Sequence, residues 1–294
     1  MDSHLLQINM YVNNTTCHVD IMQGVAYSPL LLLGFLLNSA ALYAFIAKRD
    51  SWTDTHIYML NLAAADLALI LFLPFRIYDA FHCLSKTYFC TFLISTHYIN
   101  MYASIMTSAA ISVHRCVAVR FPLQDRARRK KKAAALAVCL TIWVVVVAIC
   151  VLFHESNTPQ NLWTCYERCK NKRLPLEFLL TLVFLGFFTP LLIIVFCSSY
   201  TICTLLKTDD NSVEKKNIIG IVRANMIVFI VCYTPIHTAL VLTYYDQPPP
   251  GWQFNITTTH KFLLLSEWIA TTNCCLDSIS YYFLLKLFSR DRGV

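Results

Sequence analysis

Three ionisable residues lie inside long apolar stretches of this sequence, where a charged side chain is energetically unfavourable. Asp66 lies among Leu and Ala residues, Arg115 ends a stretch that begins near Cys90, and Asp277 follows Asn273 closely. At membrane depth such a side chain costs about 2.5–3.5 kcal/mol on insertion scales, so it usually persists for a functional reason. The sequence shows no nucleophile–base pair, metal triad or phosphate-binding loop, and we expect no enzyme.

The composition indicates that these stretches cross a membrane. The chain of 294 residues is 57% hydrophobic and only 14% charged, whereas about 25% of the residues of a soluble domain are charged. The net charge of +7 is typical of basic loops on the cytoplasmic side of a membrane protein. We find neither a basic arm nor zinc-finger spacing, and therefore expect no nucleic-acid partner.

Seven stretches are long enough for a transmembrane helix, which needs about 20 apolar residues. We predict an all-α membrane protein, with residues 24–283 as one bundle of seven transmembrane helices. Residues 284–292 have the pattern of a short amphipathic eighth helix, with Leu and Phe on one face and Lys and Arg on the other. The predicted spans are 24–48, 54–80, 87–120, 131–153, 174–207, 214–245 and 260–283.

Basic residues determine the expected orientation, because basic loops remain in the cytoplasm. Most Lys and Arg residues lie on one side of the predicted bundle, above all in the run 126–132. Residues 1–23 are then extracellular and residues 284–294 are cytoplasmic. Residues 1–23 lack the pattern of a signal peptide, and we expect the first span to act as an uncleaved anchor. Possible N-glycosylation sites on the predicted outer side are Asn13, Asn14 and Asn255.

Each predicted span carries a landmark of one large receptor family. In chain order they are Asn38, the segment 61–67, Cys90 with Arg115, Trp143, Pro190, Phe229 with the segment 232–235, and the segment 277–281. Through these residues the chain resembles the rhodopsin-like (class A) G-protein-coupled receptors over nearly its whole length. The segments 73–75, 196–198 and 273–277 resemble the branch of lysophospholipid and nucleotide receptors, nearest to the lysophosphatidylinositol-type and kynurenate-type receptors.

This resemblance implies a polar core inside the bundle. Asp66, Ser104, Asn273 and Asp277 match the sodium pocket of the family, with Asn38 beside it. Two carboxylates that converge in a medium of low dielectric repel each other, unless one is protonated or a cation lies between them. We expect an allosteric sodium ion and no other cofactor. The alternative is a protonated, hydrogen-bonded pair without a metal.

The resemblance also implies a conformational switch. Ile105, Pro190 and Phe229 match the residues that transmit ligand binding, and Pro235 kinks the sixth helix because it lacks a backbone N–H. Outward movement of the inner half of that helix would open a cleft for a heterotrimeric G protein. Further residues that we expect to act in this switch and in coupling are His114, Arg115, Cys116, Pro122, Tyr233 and Tyr281.

Several residues depart from the family pattern near Arg115. His114 stands where the family has an acid that restrains the arginine, Cys116 replaces a Tyr, and Lys215 stands at the position of an acid on helix six. Our hypothesis is a raised basal activity. Because the same motif engages the G protein, an atypical or decoy receptor that binds ligand without coupling is the alternative. Ser278 replaces a Pro and should stiffen helix seven.

The family pattern implies a disulfide between Cys90 and Cys165, which would tie helix three to the second outer loop. Cys17, Cys83 and Cys169 remain on the same predicted side. Two of them could pair, and the sequence does not choose between the possible pairings.

The outer half of the bundle is expected to bind the ligand. His97 stands where the amine receptors of the family have a carboxylate, which disfavours an amine. A guanidinium such as that of Arg76 favours a carboxylate or phosphate, although Arg76 could instead pair with Glu267. We expect a small acidic lipid or a small organic acid. Candidate ligand-binding residues are Arg76, His97, Tyr98, Met101, Tyr102, Arg168, His237 and Glu267.

Together these expectations describe a plasma-membrane receptor that converts binding of a small acidic extracellular ligand into activation of a heterotrimeric G protein. Membrane lipids would surround its helices and contact its basic inner loops. Because the tail after Phe288 is short, engagement of arrestin through the tail is expected to be weak.

Overall fold

The computed structural model describes residues 9–12, 15–18, 20–47, 54–121, 131–153, 158–167, 174–208, 212–246 and 258–290. For 9–12, 15–18, 131, 214 and 279–290 it describes the backbone only. We call the end of the bundle that carries Cys90 the outer end, and the end that carries Arg115 the inner end. Both names follow the orientation expected from the basic residues.

Seven long helices run through the described part of the chain and coincide with the predicted spans. They are α1 (Ile21–Ala47), α2 (Asp54–His82), α3 (Tyr88–Arg120), α4 (Lys131–Leu152), α5 (Leu176–Leu206), α6 (Val213–Tyr245) and α7 (Thr258–Arg290). A short 3₁₀ helix, Pro159–Asn161, lies between α4 and α5. The predicted seven-helix bundle is therefore confirmed. Among the described residues, five helices are apolar enough by length and composition to cross a membrane, namely α1, α2, α4, α5 and α6.

Two features differ from the predicted all-α architecture. The strands β1 (Asn9–Val12) and β2 (Thr15–His18) form an antiparallel hairpin within the predicted extracellular segment. Thr, Val and Tyr, which favour strands, are frequent in it. Residues 284–290 are helical as predicted, but they continue α7 without a break. Ser278 contributes to this continuity because, unlike a proline, it keeps its backbone N–H.

Polar landmark residues tie neighbouring helices together. The Trp143 Nε1–H of α4 donates to Asn61 Oδ1 of α2 at 2.8 Å. The Asn61 amide in turn donates to Thr107 Oγ1 of α3 at 3.2 Å. Hydrogen bonds of this kind join helices where no water competes for the donors. For Trp143 a role in packing is therefore visible in the structure.

The largest apolar cluster lies between α3, α5 and α6 and includes Ile105, Phe187, Phe229 and Tyr233. Beside it, residues Thr181–Phe188 of α5 form a π-helical segment, a feature often found at functional sites. Gly186 in this segment faces the ring of Tyr102 so closely that a Cβ would lie 2.4 Å from the ring. Only glycine allows α5 and α3 to approach in this way.

Candidate functional site

Arg76 is the charged centre of the outer half of the bundle. It lies on α2 just after Pro74 and is only 5% exposed. Its Nη2 donates to Glu267 Oε2 of α7 at 2.5 Å. The rings of Tyr27 and Tyr166 lie 4.4 and 5.2 Å from its Cζ, within the range of cation–π attraction. The structure thus contains the Arg76–Glu267 pair, the alternative that the sequence left open.

Two buried donors beside this pair are unsatisfied. Arg76 Nε and the Tyr27 hydroxyl have no hydrogen-bond partner among the described residues. A buried donor without an acceptor costs about 1–3 kcal/mol, so each such group calls for an explanation, such as a bound water, ion or ligand. Both donors fit an acceptor such as a carboxylate or phosphate oxygen. Arg76 can therefore offer one edge to an acid while the other remains on Glu267.

Disulfides hold the outer loops over this region. Cys90 at the start of α3 is bonded to Cys165, so the predicted pairing is present in the structure. Cys83 is disulfide-bonded as well. The two candidates for its partner on sequence grounds, the Cys17 side chain and Cys169, lie outside the described residues.

The loop residue Glu167 bridges α1 and α7 at the outer end of the bundle. Its Oε1 accepts from Gln23 Nε2 of α1 at 3.3 Å, and its Oε2 lies 3.4 Å from His260 Nε2 of α7. The neighbouring Tyr166 contacts Arg76 from above, and burial raises the pKa of its phenol, which stays neutral. The sequence analysis did not single out Glu167, although an acid two residues after Cys165 was a usable signal.

The other predicted ligand residues are only partly brought together. His97 and Met101 line a small cavity that continues from the outer region towards Asp66 and Ser104. Tyr98 stacks on Tyr102 with their ring centroids 6.5 Å apart. Arg168 lies outside the described residues.

Tyr102 and His237 bind each other. His237 Nδ1 lies 2.7 Å from the Tyr233 carbonyl, which can only accept, so Nδ1 carries the hydrogen. In the neutral ring Nε2 then accepts from the Tyr102 hydroxyl at 3.1 Å. The ring of Phe187 stacks on His237 with 4.4 Å between centroids. This cluster joins α3, α5 and α6.

A polar core lies below the cavity that His97 lines. Asn273 Nδ2 donates to Asp277 Oδ2 at 2.7 Å, and Asp66 is 1% exposed on the facing side of α2. Asp66 Oδ2 and Ser104 Oγ have no hydrogen-bond partner within the described part of the chain. Carboxylate, hydroxyl and amide oxygens are hard ligands of the kind that an alkali cation prefers. The predicted sodium ligands therefore lie in one region, and they fit the ion.

Ser278 contributes to this core in a way that the sequence did not indicate. Its Oγ donates to Asn38 Oδ1 at 2.6 Å, and Asn38 Nδ2 donates to the Cys274 carbonyl at 2.9 Å. Both side chains are buried. These bonds join α1 to α7 at the point where the family has a proline, so the substitution replaces a kink with a contact between helices.

A second cavity extends from the polar core to the inner end of the bundle. It is lined by Asp277 and Asn273 at one end and by Arg115 at the other, with Tyr233 and Phe229 on the α6 side. Tyr233 and Asn273 line both cavities.

One residue of the predicted transmission triad, Phe229, lines this inner cavity. Phe229 and Ile105 belong to one buried cluster, and Pro190 is buried on α5. The role of these residues in transmitting a signal stays a prediction.

His114 has a partner that the sequence analysis missed. Its Nε2 contacts Asp54 Oδ2 at the start of α2, and its ring lies 6.1 Å from that of Tyr58. The predicted absence of an acid next to Arg115 thus does not leave His114 without a carboxylate. An acidic residue at the first position of α2 was the signal that could have found the pair.

The remaining coupling residues are described to different extents. Cys116 lies close to Cys197 of α5. Lys215 Nζ donates to the Thr208 carbonyl at 2.7 Å, in the connection between α5 and α6. Pro122, Asn13, Asn14, Asn255 and the side chain of Tyr281 lie outside the described residues, and predictions about them stay predictions.

The sequence of this chain is similar to those of known proteins along almost its whole length. The family model described as 7 transmembrane receptor (rhodopsin family) matches residues 37–281. G-protein coupled receptor 35 of Mus musculus is 35% identical over 289 residues, which cover 94% of this chain and 92% of that protein.

More distant relatives cover a similar share of the chain. Lysophosphatidic acid receptor 4 of Mus musculus is 30% identical over 295 residues, covering 94% of this chain and 79% of the relative. G-protein coupled receptor 55 of Homo sapiens is 30% identical over 279 residues, which cover 91% of this chain and 86% of that receptor.

Proposed function

The chain belongs to the rhodopsin family of seven-transmembrane, G-protein-coupled receptors, and from that premise we propose that it converts binding of a small acidic extracellular ligand at Arg76 into activation of a heterotrimeric G protein at the plasma membrane. The observation that carries the choice of ligand is the buried guanidinium with its unsatisfied Nε beside the unsatisfied Tyr27 hydroxyl. One of the relatives is named for lysophosphatidic acid, an anionic ligand of the class that these donors suit.

Two classes of ligand suit these donors. The acid group of either a small organic acid or a lysophospholipid can accept from Arg76 Nε and the Tyr27 hydroxyl. The apolar residues between α3, α5 and α6 suit the acyl chain that only the lipid carries.

Signal transfer runs through the two cavities. A ligand that binds one arrangement of the bundle better than another shifts the population towards it. Movement at Tyr233, which lines both cavities, alters the walls around Arg115. Pro235 lies two residues further along α6 and supplies the weak point in the helix.

We also propose that the polar core holds a sodium ion, with Asp66, Ser104, Asn273 and Asp277 as its ligands. The ion would neutralise two facing carboxylates and so stabilise the arrangement in which α2, α3 and α7 converge. The unsatisfied oxygens of Asp66 and Ser104 support this proposal.

The test of the receptor function is ligand-dependent signalling. Cells that express the chain with biosensors for each Gα class would be exposed to kynurenate, lysophosphatidic acid and lysophosphatidylinositol. We expect a response to at least one acid, its loss in Arg76→Gln, and its loss in Arg115→Ala.

Lys86→Gln, which removes an exposed cation between α2 and α3, is the matched control and should respond normally. A response that Arg76→Gln retains in full would refute the assignment of the binding site.

A decoy receptor is the second candidate function. The observations that favour it are the engagement of His114 by Asp54 and the replacement of a Tyr by Cys116. It predicts ligand-induced internalisation without a response from any Gα biosensor, in the same cells and with the same acids.

A further inference from the structure

The contact between Asp54 and His114 joins the inner ends of two helices. Asp54 is the first residue of α2, and His114 lies one position before Arg115 on α3. Their side chains are only 13% and 23% exposed. Since a carboxylate oxygen only accepts, the ring nitrogen Nε2 must carry the hydrogen. The contact is therefore a hydrogen bond to a charged group, which is stronger than a neutral one.

The position of Asp54 makes it a suitable anchor. Its other oxygen, Oδ1, accepts from the backbone N–H of Thr55 at 3.1 Å, so the start of α2 holds the carboxylate in place. A negative charge at the first turn of a helix is also stabilised by the helix dipole. The ring of Tyr58, one turn further along α2, lies beside the imidazole. His114 is thus held by two residues of α2.

Holding His114 constrains its neighbour. Consecutive residues of a helix point in directions about 100° apart, so a fixed His114 determines which way Arg115 projects from α3. Arg115 lines the inner cavity together with Ser112, Phe229 and Asp277. A rotation of the inner end of α3 that redirects Arg115 towards a G protein would have to carry His114 away from Asp54.

We propose that Asp54 is a positioning residue that, through His114, holds the inner end of α3 in the resting arrangement and limits G-protein activation in the absence of ligand. This proposal rests on the coupling proposed above. The pair takes the place of the acid that the family has at position 114, and it fastens α3 to α2 through His114. It lowers the basal activity that a missing acid alone would predict.

The test compares variants that break the pair with variants that keep it, without ligand and at equal surface expression. Asp54→Asn and His114→Gln should each raise basal signal per receptor by about threefold to tenfold, the range for a partly buried charged contact. Asp54→Glu keeps a carboxylate and His114→Lys keeps an N–H donor opposite it, so both should stay near the wild type. Thr141→Ala, which removes a hydroxyl bonded only within α4, is the neutral control.

The double variant distinguishes a shared contact from two separate effects. Asp54→Asn combined with His114→Gln should signal no more than either single variant, because both remove one interaction. Additive increases, or single variants that signal like the wild type, would overturn the proposal. A purely structural role would lower surface expression and leave the signal per receptor unchanged, which also overturns it.

Failure of the coupling itself gives a different result. If the wild type responds to an acid and loses the response in Arg115→Ala, the receptor couples, and the basal signals of the variants decide the role of Asp54. If the wild type and every variant remain silent in all Gα classes with and without the acids, the proposed coupling fails, and the role of Asp54 fails with it.

Discussion

At the scale of single residues, Glu267 determines how readily the Arg76 guanidinium can bind an acidic ligand. The two side chains are 2.5 Å apart and largely buried, so an acid that uses the same edge of the guanidinium must displace Glu267. Displacing one partner of a buried pair costs several kcal/mol because a charge is left unpaired. The free Nε edge and the Tyr27 hydroxyl avoid that cost. Glu267 is therefore an internal competitor that weakens binding without abolishing it.

Replacing Glu267 should strengthen binding of an acid. In Glu267→Gln the guanidinium is no longer neutralised, and a hydrogen bond to a charged group is worth about 1.5–3 kcal/mol. We expect the half-maximal concentration of an active acid, such as kynurenate or lysophosphatidic acid, to fall about tenfold, since about 1.4 kcal/mol corresponds to that factor. The measurement is a dose–response curve in the biosensor cells.

A matched variant controls for the loss of an acid on the outer side. Glu177→Gln removes an exposed carboxylate at the start of α5 and should leave the curve in place. If Glu267→Gln instead loses the response while its surface expression is normal, the pair belongs to the folded framework and not to a competition with ligand.

At the scale of helices, the close approach of α3 and α5 depends on a residue without a side chain. Gly186 lies in the π-helical segment of α5 against the ring of Tyr102, whose hydroxyl binds His237 of α6. The contacts of Tyr102 with Gly186 and with His237 thus hold α3, α5 and α6 together at one level of the bundle. The apolar stretch of α5 could be predicted from its composition. The π-helical segment of α5 could not be predicted in this way. Whether the backbone hydrogen bonds change from the α-helical to the π-helical pattern depends on what the helix packs against.

Adding a methyl group at this contact should destabilise the receptor. In Gly186→Ala the new Cβ would overlap the Tyr102 ring, and overpacking of this kind costs about 1–3 kcal/mol. We expect a lower melting temperature for the purified receptor and less receptor at the cell surface.

The control is a helical glycine with open space around it. In Gly220→Ala on α6, a Cβ meets nothing within 4 Å, and alanine favours a helix by about 0.5–1 kcal/mol. Its melting temperature should equal or exceed that of the wild type. Equal effects of the two substitutions would contradict the packing argument.

At the scale of the whole molecule, the polar core joins helices that are distant in sequence. Asp66 comes from α2, Ser104 from α3, and Asn273 and Asp277 from α7, while Asn38 and Ser278 add a bond between α1 and α7. Both cavities end at this core. A cation bound there would stabilise the arrangement of the bundle as a whole.

Sodium should therefore raise the stability of the receptor specifically. We expect the purified wild type to melt at a higher temperature in sodium chloride than in choline chloride of the same ionic strength, because only the smaller ion fits between the carboxylates. Asp66→Asn should melt at the same temperature in both salts. Glu177→Gln should behave like the wild type, which excludes a general effect of removing an acid. A wild type that is indifferent to the salt would favour the protonated pair without a metal.

Much of this protein was determined by the sequence alone. The apolar stretches predicted the seven helices, because the hydropathy and length that allow a helix to cross a bilayer are local properties of each segment. The residues of the polar core and the Cys90–Cys165 disulfide were also predicted, because the landmarks of the family stand at their usual spacing. Arg76 and Glu267 were named as candidate ligand-binding residues, but the sequence could not choose between a ligand and an internal pair.

Only the tertiary structure decided which polar groups meet. His114 and Asp54 are 60 positions apart and Ser278 and Asn38 are 240 apart, and no local pattern links them. Tyr102 and His237 were named as candidate ligand-binding residues, and only the structure shows that they bind each other. Whether two polar side chains meet depends on how far each helix is rotated and how deep it lies. The rotation and the depth of each helix are set by the packing of all seven helices together, and they cannot be derived from the sequence of a single segment.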